Sequence, residues 1–341
     1  MSLKAVLLSL GVLATTLVIL YSTDTKTRST SDDEEYATYL IKHGKVYLSE
    51  SEKNFRKKIF SENRRKVLEH NSTPGVSYTL TLNSFADFTL QELESRYLTP
   101  KGTGPDPHGP SKCEKVSSME KKNDPIPKQV DWEKAGKVQV VKDQKGCGSC
   151  WAFSAVGALE SAYALQKGEL PSLSEQELVD CSQSYGNDGC DGGYMHWAYD
   201  YVMENGLNTE DDYKYWGIRL PCRKQTSKQR YTLKKCVKVG LTTDDLTASL
   251  VGRPVAAGFY VNWDFWLYDT GVFNPKKCEG DANHGILITG YSLDDKIPHY
   301  RIKNSWGKKW GEDGYFRMAI GKEAKGTCTI AGSGFNYYPV L

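Results

Sequence analysis

At 341 residues the chain is too long for one average domain, and its length alone suggests two or three units. Its 44 basic and 42 acidic side chains leave a formal net charge of +2, which lacks the strong basic footprint of a dedicated nucleic-acid binder. No nucleic-acid partner is expected, and the hydrophobic content of 39% is enough for a real core.

Lys4 precedes an uncharged stretch, Ala5 to Tyr21, rich in Leu and Val, and polar Ser22-Thr23-Asp24 follows. This pattern predicts a secretory signal peptide over residues 1–22. An uncleaved anchor is the competing reading, but a span needs about 20 apolar residues and Thr15-Thr16 interrupt this one. No stable membrane span is expected once the signal is removed. Nine cysteines in a secreted chain then imply a disulfide framework.

Residues 32 to 98 are charged and helical in pattern. Glu52, Arg56, Phe60, Asn63, Val67 and Asn71 recur at spacings of three and four, along one side of a helix. Asn83-Ser84-Phe85-Ala86-Asp87-Phe88 reads as a short strand or turn. Taken alone, this region is a solvated charged helix. Asn71-Ser72-Thr73 is an N-glycosylation sequon, with Asn71 on the patterned helix face. From Thr99 to Asp124 the chain turns rich in Pro and Gly, which predicts a flexible, protease-accessible linker.

The most informative run is Gln144-Lys145-Gly146-Cys147-Gly148-Ser149-Cys150-Trp151. It places a thiol at the predicted start of a helix, in which Ala152, Ala155, Val156, Leu159, Ala162 and Tyr163 hold helical spacing and Gly168 is the C-terminal stop. Strand patterns dominate from about Val237: Pro254–Phe259, Gly285–Tyr291, His299–Lys303 and Tyr315–Ile320. His196 reads as a helix-surface histidine, and the aromatic cluster Asn262–Tyr268 as core packing or cleft rim. Asn283-His284-Gly285 and Lys303-Asn304-Ser305-Trp306-Gly307 follow far downstream. A thiol, an imidazole, an amide to orient the imidazole and a second amide near the thiol are the parts of a cysteine nucleophile.

CGSCW at 147–151, with His284 134 and Asn304 154 residues beyond Cys150, resembles the signature of the papain-like cysteine protease family (peptidase C1), cathepsin L-like branch. The helix pattern resembles that family's E-x3-R-x3-F-x2-N-x3-I-x3-N propeptide motif, with Val67 in place of Ile. Asn83, Phe85 and Asp87 resemble its G-x-N-x-F-x-D motif, with Thr81 in place of Gly. The resemblance implies an α+β, two-subdomain papain-like fold: a helical left subdomain with a central helix (about 132–236) and a β-rich, barrel-like right subdomain (about 237–341). An inhibitory prodomain over 23–98 and an activation linker over 99–123 precede the catalytic domain at 124–341, with cleavage near 124.

By the same resemblance Cys150 is the nucleophile, His284 its acid–base partner, Asn304 the group that orients the imidazole, Trp306 its cover, and Gln144 an oxyanion donor. Gly192, Gly193, Tyr194, Met195, Gly258, Ala282, Gly285 and Ser333 match the substrate strip and the second subsite, with Ser333 at the floor. All are apolar or small, so a bulky hydrophobic side chain two positions before the scissile bond is expected. The implied bridges are Cys147–Cys190, Cys181–Cys222 and Cys278–Cys328. Cys113 and Cys236 are left over, either paired in the uncleaved form or present as free thiols.

The expected activity is that of an acid-activated cysteine endopeptidase, monomeric, in the lysosome or outside the cell. Its expected partners are peptide and protein substrates, its own prodomain and cystatin-like inhibitors. No cofactor or metal is implied: a zinc site would need a second Cys/His pair at suitable spacing. A catalytically silent, peptide-binding homologue is the alternative. A thiol–disulfide oxidoreductase is a further rival, and it would need Cys147 and Cys150 free together.

Overall fold

The computed structural model describes residues 32–99, 112–115, 126–223 and 229–341. The expected signal peptide, most of the linker and the expected cleavage point lie outside the described residues. The chain divides into two compact units, one up to Leu68 together with Leu82–Phe88, the other Glu69–Thr81 with Thr89–Leu341.

In the first unit, a helix over residues 32–43 (α1) is followed by α2, Glu50–Ser72, most of which lies here. The three-and-four spacing on α2 has a physical purpose. Phe60 is buried against the rings of Tyr36 and Tyr39, at 5.2 and 4.7 Å between centroids. The buried Asn63 and Arg56 donate to the main-chain carbonyls of Ala86 and Asp87, at 2.9 and 3.3 Å. Glu52 lies 3.6 Å from Arg56 one helical turn away. Residues 84–87 form a turn, and the fully buried Asp87 carboxylate pairs with Lys45 at 2.8 Å and accepts from the Tyr47 hydroxyl.

The second unit opens with the end of α2. There the Asn71 carboxamide donates to the Leu80 carbonyl and accepts its N–H, so the sequon side chain is already engaged at both polar atoms. Strand β1, Tyr78–Leu80, leads to α3, Leu90–Tyr97. Thr89 and Glu92 close a reciprocal capping box at its N-terminus, which fixes the course of the chain through Tyr97, Leu98 and Thr99. Two short strands follow, β2 (Glu114–Lys115) and β3 (Gln129–Asp131).

Helix α4, Cys150–Gln166, is buried on nearly all sides, as expected of a helix apolar round its whole circumference. Lys167 caps it, and Gly168 supplies the left-handed residue beyond at φ +72. It packs on α5 (Glu175–Cys181) and α6 (Met195–Asn205). Then come β4 (Lys235–Lys238), α7 (Thr243–Leu250), β5 (Val255–Phe259), α8 (Trp263–Trp266), β6 (Tyr268–Phe273), β7 (His284–Ser292), β8 (His299–Lys303), β9 (Tyr315–Ala319) and β10 (Tyr337–Val340). The sheet runs β1-β6-β9-β8-β7-β5-β10-β4-β2, with β3 also paired to β7. All nine residues of β7 are buried between sheet neighbours and α4.

Four disulfides cross-link this unit: Cys147–Cys190, Cys181–Cys222, Cys278–Cys328 and Cys113–Cys236. Of the two states left open for Cys113 and Cys236, they adopt the paired one. Cys150 is the free cysteine among the described residues. No helix among the described residues is long and apolar enough to cross a membrane.

Candidate active site

Three segments meet at the N-terminus of α4. Cys150 is its first residue and is 0% exposed. His284 begins β7 opposite Phe259 of β5, and Asn304 directly follows β8. Register brings the last two together: Leu287 of β7 faces Lys303 of β8, so Asn304 Oδ1 lies 2.8 Å from His284 Nε2. That bond places the proton on Nε2 and leaves Nδ1 as the other ring position, buried and without a hydrogen-bonding partner among the described residues.

Close approach of β7 to α4 depends on Gly285, where a Cβ would meet the Cys150 carbonyl oxygen at 3.0 Å. Gly193 is constrained in the same way, since a Cβ there would sit 2.4 Å from Asn187 Oδ1 and 2.7 Å from the Trp151 ring. Trp306 stands 4.9 Å from the His284 ring and stacks flat on Trp266 at 4.4 Å, covering the His284–Asn304 pair.

Gln144 is held at both ends of its amide. Ser305 Oγ donates to Oε1 at 2.7 Å, while Nε2 donates to the carbonyls of Cys147 and Tyr97, both at 2.8 Å. Thr99 Oγ1 lies 3.6 Å from Cys150 Sγ, and its N–H donates to the Asn283 carbonyl at 3.0 Å. The segment leaving α3 therefore occupies both the sulfur and the Gln144 donor. Sequence reasoning gave no role to Ser305, which stands in a run read only for Asn304 and Trp306, nor to Tyr97 and Thr99, which no motif marks. Each acts through a partner distant in sequence.

Burial pushes the Cys150 thiol up, and N–H groups of Gly285, Trp151 and Thr99 with the Thr99 hydroxyl pull it only part of the way back. Burial pulls His284 down to about 4 against the opposing Asn304 bond. Both groups are thus held neutral here. With Cys147 bonded to Cys190, residues 147–150 cannot act as a redox dithiol.

Beside the thiol lies an apolar cavity of ≈ 20 Å³ lined by Gly193, Tyr194, Met195, Gly258, Ala282, Gly285 and Phe335, among others. Gly192 is not in its wall. Ser333, expected at the floor, is not there either, and Phe335 stands in its place. Ser333 Oγ instead caps the turn, accepting from Phe335 N–H at 3.2 Å and donating toward the Ile330 carbonyl. That turn presents the Phe335 ring, stacked on Tyr194 at 4.9 Å. His196 also departs from expectation. It is 5% exposed, enclosed by the rings of Tyr194, Trp197 and Tyr337, because α6 packs that face inward.

The description "Papain family cysteine protease" matches residues 126–337, and "Cathepsin propeptide inhibitor domain (I29)" matches 36–93. The chain belongs to the papain family of cysteine proteases. It is 39% identical over 317 residues to a protein named Pro-cathepsin H from Medicago truncatula, covering 90% of this chain and 85% of that one. Cathepsin L of Sarcophaga peregrina is 38% identical over 316 residues, covering 87% and 90% respectively. Among solved structures, digestive procathepsin L 3 of Tenebrio molitor larval midgut superposes with a TM-score of 0.79 at 35% identity, covering 91% of this chain and 99% of that chain. A recombinant stem bromelain precursor gives 0.80 at 29% identity, covering 91% and 99%. The fold is therefore papain-like α+β, and the chain is a protease with its propeptide inhibitor domain still attached.

Proposed function

We propose that Cys150, His284, Asn304 and Gln144 are the working parts of a cysteine endopeptidase, held idle in this precursor and released by acid. The observation that carries this reading is the pairing of His284 Nε2 with Asn304 while the segment Tyr97–Thr99 covers the thiol and the Gln144 amide. Once that segment leaves, a thiolate at the start of α4 gains from the helix N-terminus and from an imidazolium at His284. The pair then titrates as a unit.

The sulfur attacks the scissile carbonyl, whose oxygen takes the negative charge between Gln144 Nε2 and the Cys150 N–H. His284 gives its proton to the departing amine. Water then attacks the thioester, His284 accepts its proton, and the acid leaves as Cys150 is restored. No electrons change hands.

One feature of the site supports an acid trigger. Protonating His284 is disfavoured while it is buried without an ionic partner, so acid favours states in which it is solvated or paired. We place maturation near residue 124, with 23–98 as the inhibitory part, and the protein in the secretory pathway, destined for an acidic compartment or the exterior. The second subsite takes an apolar side chain, its depth set by Phe335.

The test is hydrolysis of a fluorogenic Leu-Arg or Phe-Arg peptide by the purified precursor after incubation at pH 4.5 with a thiol reductant. Activity that appears with loss of the prodomain's mass supports the reading. No activity even after the prodomain is removed by an added protease makes the silent homologue the better account.

A further inference from the structure

Cys113 lies between the propeptide domain, 36–93, and the catalytic domain, 126–337, yet it is bonded to Cys236 inside the latter. We propose that the matured enzyme is a two-chain molecule, in which the peptide around Cys113 stays covalently attached to the catalytic domain after the prosegment is cut away. The proposal rests on the zymogen reading above. Hydrolysis on the C-terminal side of Cys113 consumes one water and separates the main chain, but it leaves the S–S bond untouched.

The surroundings of the bond match a permanent fixture. Glu114 and Lys115 run parallel to β4, opposite Val237 and Lys238, and form the last strand of the sheet. Lys235 Nζ reaches Glu114 Oε2 at 2.7 Å, and Lys112 Nζ reaches Glu204 Oε1 at 2.5 Å. Cys236 is 0% exposed. Without β2, β4 would be an open edge with unpaired main-chain groups.

Those non-covalent contacts cannot retain a peptide alone. Ion pairs as exposed as these contribute little net stability, and two paired residues add little more. Retention depends on the disulfide. It also has a regulatory consequence. After a single cut beyond Cys113, the whole prosegment remains tethered at an effective concentration of roughly millimolar and continues to inhibit. Full release requires a second cut before Cys113, or two electrons from an external dithiol, which becomes a disulfide as Cys113 and Cys236 become thiols.

Intact-mass spectrometry of the enzyme activated at pH 4.5 without added thiol reductant, alkylated and then measured before and after reduction, decides the matter. The expected result is an active catalytic chain with its N-terminus near residue 124 that loses a Cys113-containing peptide only on reduction. An active chain of equal mass in both states would overturn the proposal. Failure of both activity and self-cleavage would count against the zymogen reading. Cutting the same precursor with an added lysine-specific protease, which acts at Lys121-Lys122, then reads retention independently. Here too, a Cys113 peptide that dissociates without reductant overturns the proposal. The Cys113→Ser/Cys236→Ala double variant serves as the control and should show no reducible peptide while keeping its peptidase activity.

Discussion

Helix α4 carries Cys150 in its first turn and Glu160 about three turns further on, and both are sealed from water. Around Glu160, Lys142 Nζ meets Glu160 Oε1 at 3.0 Å, Glu175 Oε1 at 2.8 Å and the Leu173 carbonyl at 2.9 Å. Burial alone would pull Lys142 down, but its two carboxylate neighbours outweigh that and raise it, so its charge persists. One ammonium cannot satisfy two carboxylates. Burial, with Glu160 adding repulsion, raises Glu175 to about 7 despite Lys142. At the proposed catalytic pair no charged neighbour among the described residues opposes the same burial, and thiol and imidazole both stay neutral. Desolvation acts alike at the two places, and the inventory of partners decides which side chains remain ionised.

The most drastic way to break the comparison is to remove the proposed nucleophile. Cys150→Ala should lower kcat/KM of the activated enzyme by at least about 10⁴-fold, as loss of a nucleophile does elsewhere. Residual turnover within tenfold of wild type would show that the thiol is not the reacting group. Next in size is the ionic cluster. Lys142→Met strips the buried Glu160 and Glu175 of their shared cation and should cost about 3–5 kcal/mol in urea unfolding of the Cys150→Ala precursor at pH 5. Glu175→Gln at pH 5 should cost at most about 1 kcal/mol, because that carboxyl is already protonated there and its Oε1 can still accept from Lys142. Equal losses for the two variants would contradict the account of who carries charge.

At the proposed oxyanion position, Gln144→Ala should reduce kcat by about 10²–10³, equivalent to about 2.7–4 kcal/mol, with KM little changed. A change confined to KM would make Gln144 a ground-state contact only. The pH dependence sharpens the comparison further. With His284 lowered to about 4 in the precursor against 6.5 when unfolded, the native state binds fewer protons between those values. The contribution is complete above pH 6.5 and is lost as pH falls toward 4, up to about 3 kcal/mol in all. A Cys150→Ala/His284→Gln precursor should therefore lose less stability over that window than Cys150→Ala alone. Parallel profiles would show that His284 is not a neutral, buried group.

What was legible in the sequence follows from the same physics. Arg56, Phe60 and Asn63 could be read because helical period puts them on one face. Cys150 could be read because its flanking glycines and tryptophan stand at fixed short spacings. Strands β5, β7, β8 and β9 showed as strand-like runs, whereas the short or polar strands β2 and β3 did not. The Lys142 cluster drew no attention, since it joins a loop, α4, the first turn of α5 and a neighbouring β-strand residue that share no local pattern. The Tyr97 carbonyl on Gln144 has no side-chain signature at all. The Cys113–Cys236 bond links positions 123 residues apart, where spacing carries no geometric information.

Phe335 shows how far a subsite can depend on a turn. The positive φ of Cys328 and Thr329, 51 and 60, and the Ser333 cap set the course of the chain into β10, so the ring reaches Tyr194 while Ser333 does not. Its Cβ would sit 3.0 Å from a Cβ placed on Gly258, and only ≈ 20 Å³ is left open. The wall residues Tyr194, Ala282 and Phe335 also border an open groove of ≈ 1030 Å³. Removing the ring should join the two spaces. Phe335→Ala should accordingly shift the ratio of kcat/KM for Phe over Val two positions before the scissile bond by at least about tenfold toward Phe, since even one methylene of misfit in an apolar pocket is worth about 1–3 kcal/mol. This is the most specific effect predicted. An unchanged ratio, with overall activity intact, would mean that the floor of the subsite is built by another residue, and that Phe335 only packs against Tyr194.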